Sequence, residues 1–135
     1  MNKILSITSI FIPGNVPSSK NSKQWTGKML INSKPVRNYI KNTKKDYVKS
    51  KEEFDSHLVT MQGDSRTYPL HIDFYFIRNS RRKFDYINPA QTVQDLMVKY
   101  EWIEDDNCDI IIPHFSGYHV DKEKPGVYIT LLNNN

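Results

Sequence analysis

The sequence of 135 residues contains a single cysteine, Cys108, and only five scattered glycines. One cysteine cannot form a disulfide within the chain or a thiolate zinc cluster, so both are excluded and a reducing compartment is expected. We expect Cys108 to act as a small apolar residue beside the run at 110–112. The glycines form no glycine-rich phosphate loop, which removes the commonest nucleotide-binding motifs.

Long apolar runs are also missing, since none approaches the roughly 18 residues that a membrane helix requires. The apolar start of the chain lacks the small-residue cleavage site of a signal peptide. We therefore predict a cytoplasmic protein without a membrane partner. The four histidines show no metal-ligand spacing such as HExxH, which argues against a zinc hydrolase.

The length fits one ordinary domain, and an aromatic content of 12% provides large side chains for its core. Apolar periodicity predicts two helices, one opening at Ser33-Lys34-Pro35 with a buried stripe from Val36 to Leu58, and one opening at Asn88-Pro89. β-Branched and alternating stretches predict strands at 3–12, 29–31, 70–77, 109–112 and 127–132. This order of elements predicts one domain over residues 1–135, of the α/β (α+β) class, with helices packed on a mixed β-sheet.

The net charge of +4 is unevenly distributed along the chain. Residues 15–51 hold ten Lys or Arg and one acid, whereas residues 95–109 hold six acids and one Lys. A basic half beside an acidic cluster suits a protein that attracts a polyanion and holds a divalent cation against it. For the basic half alone, a merely solvated surface is an equally good interpretation. Two basic loops supply the candidate phosphate contacts, which are Lys20, Lys23, Lys28, Arg81, Arg82 and Lys83.

Carboxylates are concentrated around the second predicted helix. Asp85 precedes that helix, Asp95 lies within it, and Asp105 and Asp106 follow it. Because Asp85 and Asp106 flank one short helix, the returning chain can bring them together. Converging carboxylate oxygens are the ligands that Mg²⁺ prefers. The competing interpretation is that an acidic pair such as Asp105–Asp106 merely forms a turn.

The segment 81–113 resembles the RusA family of Holliday-junction resolvases. The family pattern is Asp-x-Asp-Asn-x-x-Lys-x-x-x-Asp-x-Leu, followed about a dozen residues later by a paired Asp-Asp. Here Asp85 stands at the first Asp, and Asn88 and Asp95 keep the internal spacing. Asp105 and Asp106 then stand at the paired acids.

The resemblance implies a Mg²⁺-dependent endodeoxyribonuclease, with Mn²⁺ as an alternative cofactor, that resolves Holliday junctions in DNA recombination and repair. It also implies a homodimer of bacterial or phage origin that binds four-way or branched DNA. The implied catalytic residues are Asp85, Asp105 and Asp106. The implied metal ligands are the same three residues together with Asp95. The implied DNA contacts are Gln91 and the residues of the two basic loops.

Two positions depart from the family pattern. Ile87 replaces the second Asp and Gln91 replaces the Lys, so one carboxylate and one positive charge are missing. An alternative alignment, with Lys83 at the first Asp and Asp85 at the second, breaks the spacing to Asn88. Two other functions therefore stay open: a branched-DNA-binding protein with weakened or no catalysis, and a structural or interaction domain with incidental acidity.

Overall fold

The computed structural model describes residues 9–18, 23–27 and 30–133. In chain order the strands are β1 (Ser9–Pro13), β2 (Lys23–Trp25), β3 (Leu30–Asn32), β4 (Leu70–Arg78), β5 (Ile111–Val120) and β6 (Gly126–Leu132). The helices of the described part are α1 (Lys34–Gln62), which follows β3, and α2 (Ile87–Lys99), which lies between β4 and β5. None of these helices is long and apolar enough to cross a membrane.

A mixed sheet of four strands, in the order β1-β6-β4-β5, forms the centre of the fold. β6 runs antiparallel to both β1 and β4, whereas β4 and β5 are parallel neighbours. Because parallel neighbours require a crossover connection, α2 lies between β4 and β5 in the chain. The short strands β2 and β3 pair separately as an antiparallel hairpin. The predicted class, a mixed sheet with helices, is confirmed.

The central strand β4 alternates as its sequence predicts, with Ile72, Phe74 and Phe76 fully buried in the core. The prediction that its other side is open is only partly right. Asp73 and Ile77 on that side are also buried, because neighbouring strands flank β4 on both edges. The strand therefore carries a buried carboxylate in the middle of the sheet.

The helix α1 follows its predicted pattern. Ser33 stands at the N-cap position with Pro35 in the first turn, although the Ser33 side chain makes no capping hydrogen bond. The predicted stripe is buried at Val36, Tyr39, Tyr47, Phe54 and Leu58, with Ile40 half-buried. The other side of the helix carries its lysines.

The helix α2 begins earlier than predicted. Its first residue is Ile87 and its N-cap is Tyr86, so the expected capping role of Asn88 is wrong. At the other end the N–H of Glu101, at φ +66°, donates to Val98, and the N–H of Trp102 donates to Met97. This pair of bonds is a Schellman ending, which turns the chain back so that Trp102 enters the core.

The strand β5 starts two residues later and ends eight residues further on than predicted. Residues 109–110 lie instead in a turn closed on Asn107, whose backbone and side-chain oxygens accept the N–H groups of Ile110 and Asp109. Cys108 lies in the same turn and is exposed, so its predicted role as a packed apolar residue is wrong.

Candidate nucleic-acid and metal site

A cleft of about 970 Å³ opens where the chain leaves β4 and enters α2. Arg82, Lys83 and Asp85 line it, together with Tyr118 near the end of β5. Amide and hydroxyl side chains in its lining are supplied by Asn15, Ser18, Asn79, Ser80 and Asn88. The N–H of Asn79 donates to Asn15 Oδ1 at 2.9 Å and so ties the two loops that form its walls. The cleft thus combines one carboxylate with cations, amides and hydroxyls.

Arg78 lines this cleft from the end of β4, before the basic loop of Arg81, Arg82 and Lys83. It is the last residue of β4 and is only 4% exposed. Its Nη1 donates to the Val16 carbonyl at 2.9 Å and its Nη2 to Ser18 Oγ at 2.8 Å. Its buried Nε has no hydrogen-bond partner among the described residues. Burial lowers the pKa of the guanidinium from its ordinary value.

Among the residues that the structure describes, Arg78 has no carboxylate partner. The ion pairs of this part of the chain are those of Lys51 and Arg66 with Asp55, and none of these three residues lines the cleft. A buried cation without an anionic partner leaves a positive potential in the wall of the cleft.

Three aromatic rings form the apolar part of the cleft. Phe84 and Tyr118 are perpendicular, with centroids 5.0 Å apart, and Phe84 is perpendicular to Tyr86 at 5.3 Å. Tyr86 stacks on Phe115 at 5.3 Å, and the Arg78 guanidinium lies 4.4 Å from the Phe84 centroid. Tyr118 is the outermost of the group and is 52% exposed.

The acidic residues meet on the exposed side of α2. The Gln91 side-chain amide Nε2 donates to Asp95 Oδ1 at 2.8 Å and to Asp106 Oδ2 at 3.0 Å. These two carboxylate oxygens are therefore at most about 6 Å apart. The sequence predicted that Asp85 and Asp106 converge, but the carboxylates that Gln91 bridges are those of Asp95 and Asp106.

Ile87, Gln91 and Asp95 are exposed residues four apart along α2, so they share one ridge of the helix. Ile87 is 71% exposed, which is unusual for an isoleucine in a helix. A carboxylate at this position would lie one turn before Gln91. The ridge thus contains one carboxylate, one amide and one apolar side chain.

Asp105 has a local role instead. Its Oδ1 accepts the Asp106 N–H at 2.8 Å, and its Oδ2 accepts the Asn107 amide at 3.1 Å. These hydrogen bonds lower the pKa of the Asp105 carboxyl from its ordinary value, and the bond from the Asp106 N–H has the largest effect. The carboxylate therefore fixes the turn that presents Asp106.

Two further acids that could replace the missing carboxylate are engaged elsewhere. Glu104 accepts the Tyr68 hydroxyl at 2.6 Å, and Asp73 accepts the Ser116 hydroxyl at 2.6 Å. Asp73 is buried in the sheet, and this burial raises the pKa of its carboxyl despite the Ser116 hydrogen bonds.

The predicted site residues fall into two groups. Asp85 lines the cleft, whereas Asp95, Asp105 and Asp106 do not. Among the residues that the structure describes, no group of three or more His, Cys, Asp or Glu is arranged to hold a metal ion. Of the predicted basic contacts, Arg82 and Lys83 line the cleft and Arg81 is exposed outside its lining. Lys20 and Lys28 lie outside the described residues, and Lys23 is described only as backbone of β2.

Sequence reasoning missed Arg78 and Tyr118 as members of the site. The periodicity of β4 carried a signal for Arg78, because it continues the alternation of Ile72, Phe74 and Phe76. Tyr118 had no such signal, since its place depends on the register of β5 beside β4. Comparison with known proteins adds no family, because no protein-family model and no curated protein matches the chain.

Proposed function

We propose that this protein is a Mg²⁺-dependent endodeoxyribonuclease that hydrolyses a phosphodiester bond in branched DNA, such as a Holliday junction. The observation that carries the proposal is the single Gln91 donor shared by Asp95 and Asp106. It means that two carboxylate oxygens converge on one point, as ligands of a hard cation do. The resemblance of residues 81–113 to the RusA family supports the same reaction.

The donor set fits Mg²⁺ in kind, because carboxylate oxygens are the ligands that this ion prefers. Two oxygen ligands of one Mg²⁺ are roughly 3–4 Å apart, and one or two protein carboxylates suffice when water and substrate phosphate complete the shell. Rotation of the Gln91 side chain would remove its hydrogen bonds to Asp95 Oδ1 and Asp106 Oδ2. A bound Mg²⁺ would supply Lewis-acid activation of the phosphodiester. Asp95 and Asp106 would hold it, and Asp85 would act from the lining of the cleft.

The basic lining of the cleft would position the DNA. Arg82 and Lys83 are exposed there, so their charged groups can reach phosphate oxygens without disturbing the fold. Asp85 lies in the same lining, which brings a carboxylate to the bound phosphate. The proposal includes a homodimer, because a four-way junction has two-fold symmetry and paired cuts need paired sites.

A second candidate is a branched-DNA-binding protein without cleavage. Two observations favour it: the Gln91 amide satisfies both carboxylates without a cation, and an exposed Ile87 stands where the family pattern has an acid. In this function the acidic ridge is a stable surface and the basic cleft alone binds DNA.

A cleavage assay on a mobile four-way junction, with Mg²⁺ and separately with Mn²⁺, distinguishes the two functions. The nuclease predicts paired cuts by the wild type and none by Asp85→Asn. Asp64→Asn, at an exposed acid in the turn after α1, is the control and should cut normally. Tight junction binding without cuts in either metal would select the binding protein, and no affinity for any DNA would reject both.

A further inference from the structure

The aromatic part of the cleft has a composition that phosphate binding alone does not require. Phe84, Tyr86 and Tyr118 all line it, beside Arg82 and Lys83. A site for a bare phosphate needs only cations, hydroxyls and N–H groups. Aromatic faces next to cations are the pattern of proteins that stack single-stranded bases while binding the backbone.

Tyr118 is the ring that a base could reach. It is 52% exposed, whereas Phe84 and Tyr86 are partly buried against the core. The perpendicular contact with Phe84 at 5.0 Å supports the Tyr118 ring from the protein side. A supported aromatic ring loses little conformational freedom when a base stacks on it, which favours binding.

The charge of the cleft defines the other half of the ligand. Three cations line it, Arg78, Arg82 and Lys83, against one carboxylate, Asp85. Arg78 is buried, and within residues 9–18, 23–27 and 30–133 it has no anionic partner and its Nε has no acceptor. A ligand that brings negative charge to this wall compensates a cation that the free protein leaves unpaired.

We propose that the cleft binds one unpaired nucleotide, with its base stacked on Tyr118 and its phosphate held by Arg82 and Lys83. The inference rests on the proposed function for the identity of the ligand as DNA. Bases in a duplex have both faces covered by their neighbours, so only an unstacked base can use the Tyr118 face. The substrate is therefore DNA with unpaired nucleotides at the branch, rather than a fully stacked junction.

The cleft is large enough for this ligand, since about 970 Å³ lies at the upper end of the roughly 300–1,000 Å³ found for small-molecule sites. The amide and hydroxyl side chains of Asn15, Asn79 and Ser80 in its lining can hydrogen-bond sugar and base edges.

The test measures binding of a single-stranded oligothymidine of roughly ten nucleotides, a length typical for one binding module, that carries one 2-aminopurine. Tyr118→Ala should weaken its affinity by ~5- to 150-fold, the range that one base-aromatic stack produces. Tyr118→Phe keeps the ring and should bind like the wild type. Tyr128→Ala is the matched control, because Tyr128 is 40% exposed but pairs with Tyr75 and so lies on the other face of the sheet.

The 2-aminopurine signal reports the stack directly. Its fluorescence should be quenched in the wild-type complex and recover in the saturated Tyr118→Ala complex. Equal affinities and equal fluorescence for wild type and Tyr118→Ala would overturn the inference, and so would an equal loss with Tyr128→Ala.

Parallel cleavage assays separate this failure from that of the proposed function. A protein that cuts junctions but is indifferent to Tyr118→Ala retains the function and loses the inference. Tyr118-dependent binding without cleavage in Mg²⁺ or Mn²⁺ supports the inference and rejects the nuclease. A wild type that binds no DNA at all overturns both.

Discussion

The side-chain amide of Gln91 donates to Asp106 Oδ2 at 3.0 Å, across 15 residues of sequence. This contact ties the second turn of α2 to the loop that follows the helix. The same nitrogen also donates to Asp95 at 2.8 Å, so one neutral side chain separates two carboxylates. In the family pattern a lysine stands at this position. Its positive charge would attract both carboxylates more strongly than a neutral amide does.

Restoring the missing carboxylate should strengthen metal binding. Ile87→Asp places a further oxygen donor on the ridge of Gln91 and Asp95, one turn from Gln91 and two turns from Asp95. We expect Mg²⁺ affinity to rise about tenfold, which corresponds to ~1.4 kcal/mol. This affinity is measured from the rise of the melting temperature with the concentration of Mg²⁺ or Mn²⁺. The rise reports binding because a ligand that binds only the folded state stabilises that state.

Ile87→Asn is the matched control, with nearly the same size and no charge. It removes the exposed apolar side chain and should leave the metal dependence of the melting temperature at its wild-type value.

The double variant Ile87→Asp/Gln91→Lys should also raise the cleavage rate. Equal metal dependence for the Asp and Asn variants would mean that the ridge is not part of a metal site.

The basic lining should control the salt dependence of DNA binding. Each phosphate contact contributes about −0.9 to the slope of log K against log salt for duplex DNA. Arg82→Ala and Lys83→Ala should therefore each make the slope for a four-way junction shallower by ~1. Lys49→Ala removes an exposed lysine of α1 and should leave the slope unchanged. An unaltered slope in both cleft variants, or the same change with Lys49→Ala, would place the DNA contact elsewhere.

The parts of the fold that were predictable depend on local periodicity. The stripe of α1 and the alternation of Ile72, Phe74 and Phe76 repeat at fixed intervals, so the sequence alone reveals their buried sides. Helix starts were less well predicted, because Asn88 is a favoured cap residue but α2 begins one residue before it. Backbone hydrogen bonding of Asn88 to Asp85 decided that boundary instead.

The site was predictable only where residues are near one another in sequence. The spacing of Gln91 and Asp95 places them on one face of a helix. The sequence also singled out the acidic pair at 105–106, either as metal ligands or as residues of a turn. The link from Gln91 to Asp106 depends on how the chain returns after the Glu101 turn, which no local pattern encodes. Arg78 and Tyr118 meet in the cleft through the register of β4 with β5 and its irregularity after Phe74.

The buried Asp73 predicts a pH-dependent stability difference. Burial raises the pKa of its carboxyl above the ordinary 3.8, although the Ser116 hydrogen bonds oppose the shift. A raised pKa in the folded state means that stability is highest below the unfolded pKa and falls as the pH rises through the folded pKa. At neutral pH the charged Asp73 therefore destabilises the fold.

Asp73→Asn keeps the shape and can still accept the Ser116 hydroxyl. We expect it to raise the free energy of unfolding at neutral pH and to change it little below pH 3.8, the ordinary carboxyl value. Denaturant unfolding at both pH values measures this difference. Asp64→Asn, at an exposed acid, should show no such pH dependence. A loss of stability in Asp73→Asn at neutral pH would show that the charged form contributes favourably through Ser116.

The acidic pair after α2 predicts opposite effects of two neighbouring substitutions. Asp105 accepts the Asp106 N–H and the Asn107 amide, and Asp105→Asn can still accept the first of these bonds. It should keep the turn and retain most of the cleavage activity.

Asp106→Asn removes the charged oxygen that converges with Asp95, and should lower the cleavage rate by ~100-fold or more, as loss of a metal-site residue does. Its junction affinity should stay equal or increase, because a negative charge near phosphate is removed. Single-turnover cleavage and binding, measured on the same junction, provide both values. If Asp105→Asn is the inactive variant and Asp106→Asn cuts normally, the turn carboxylate is the catalytic one and the roles assigned to the pair are reversed.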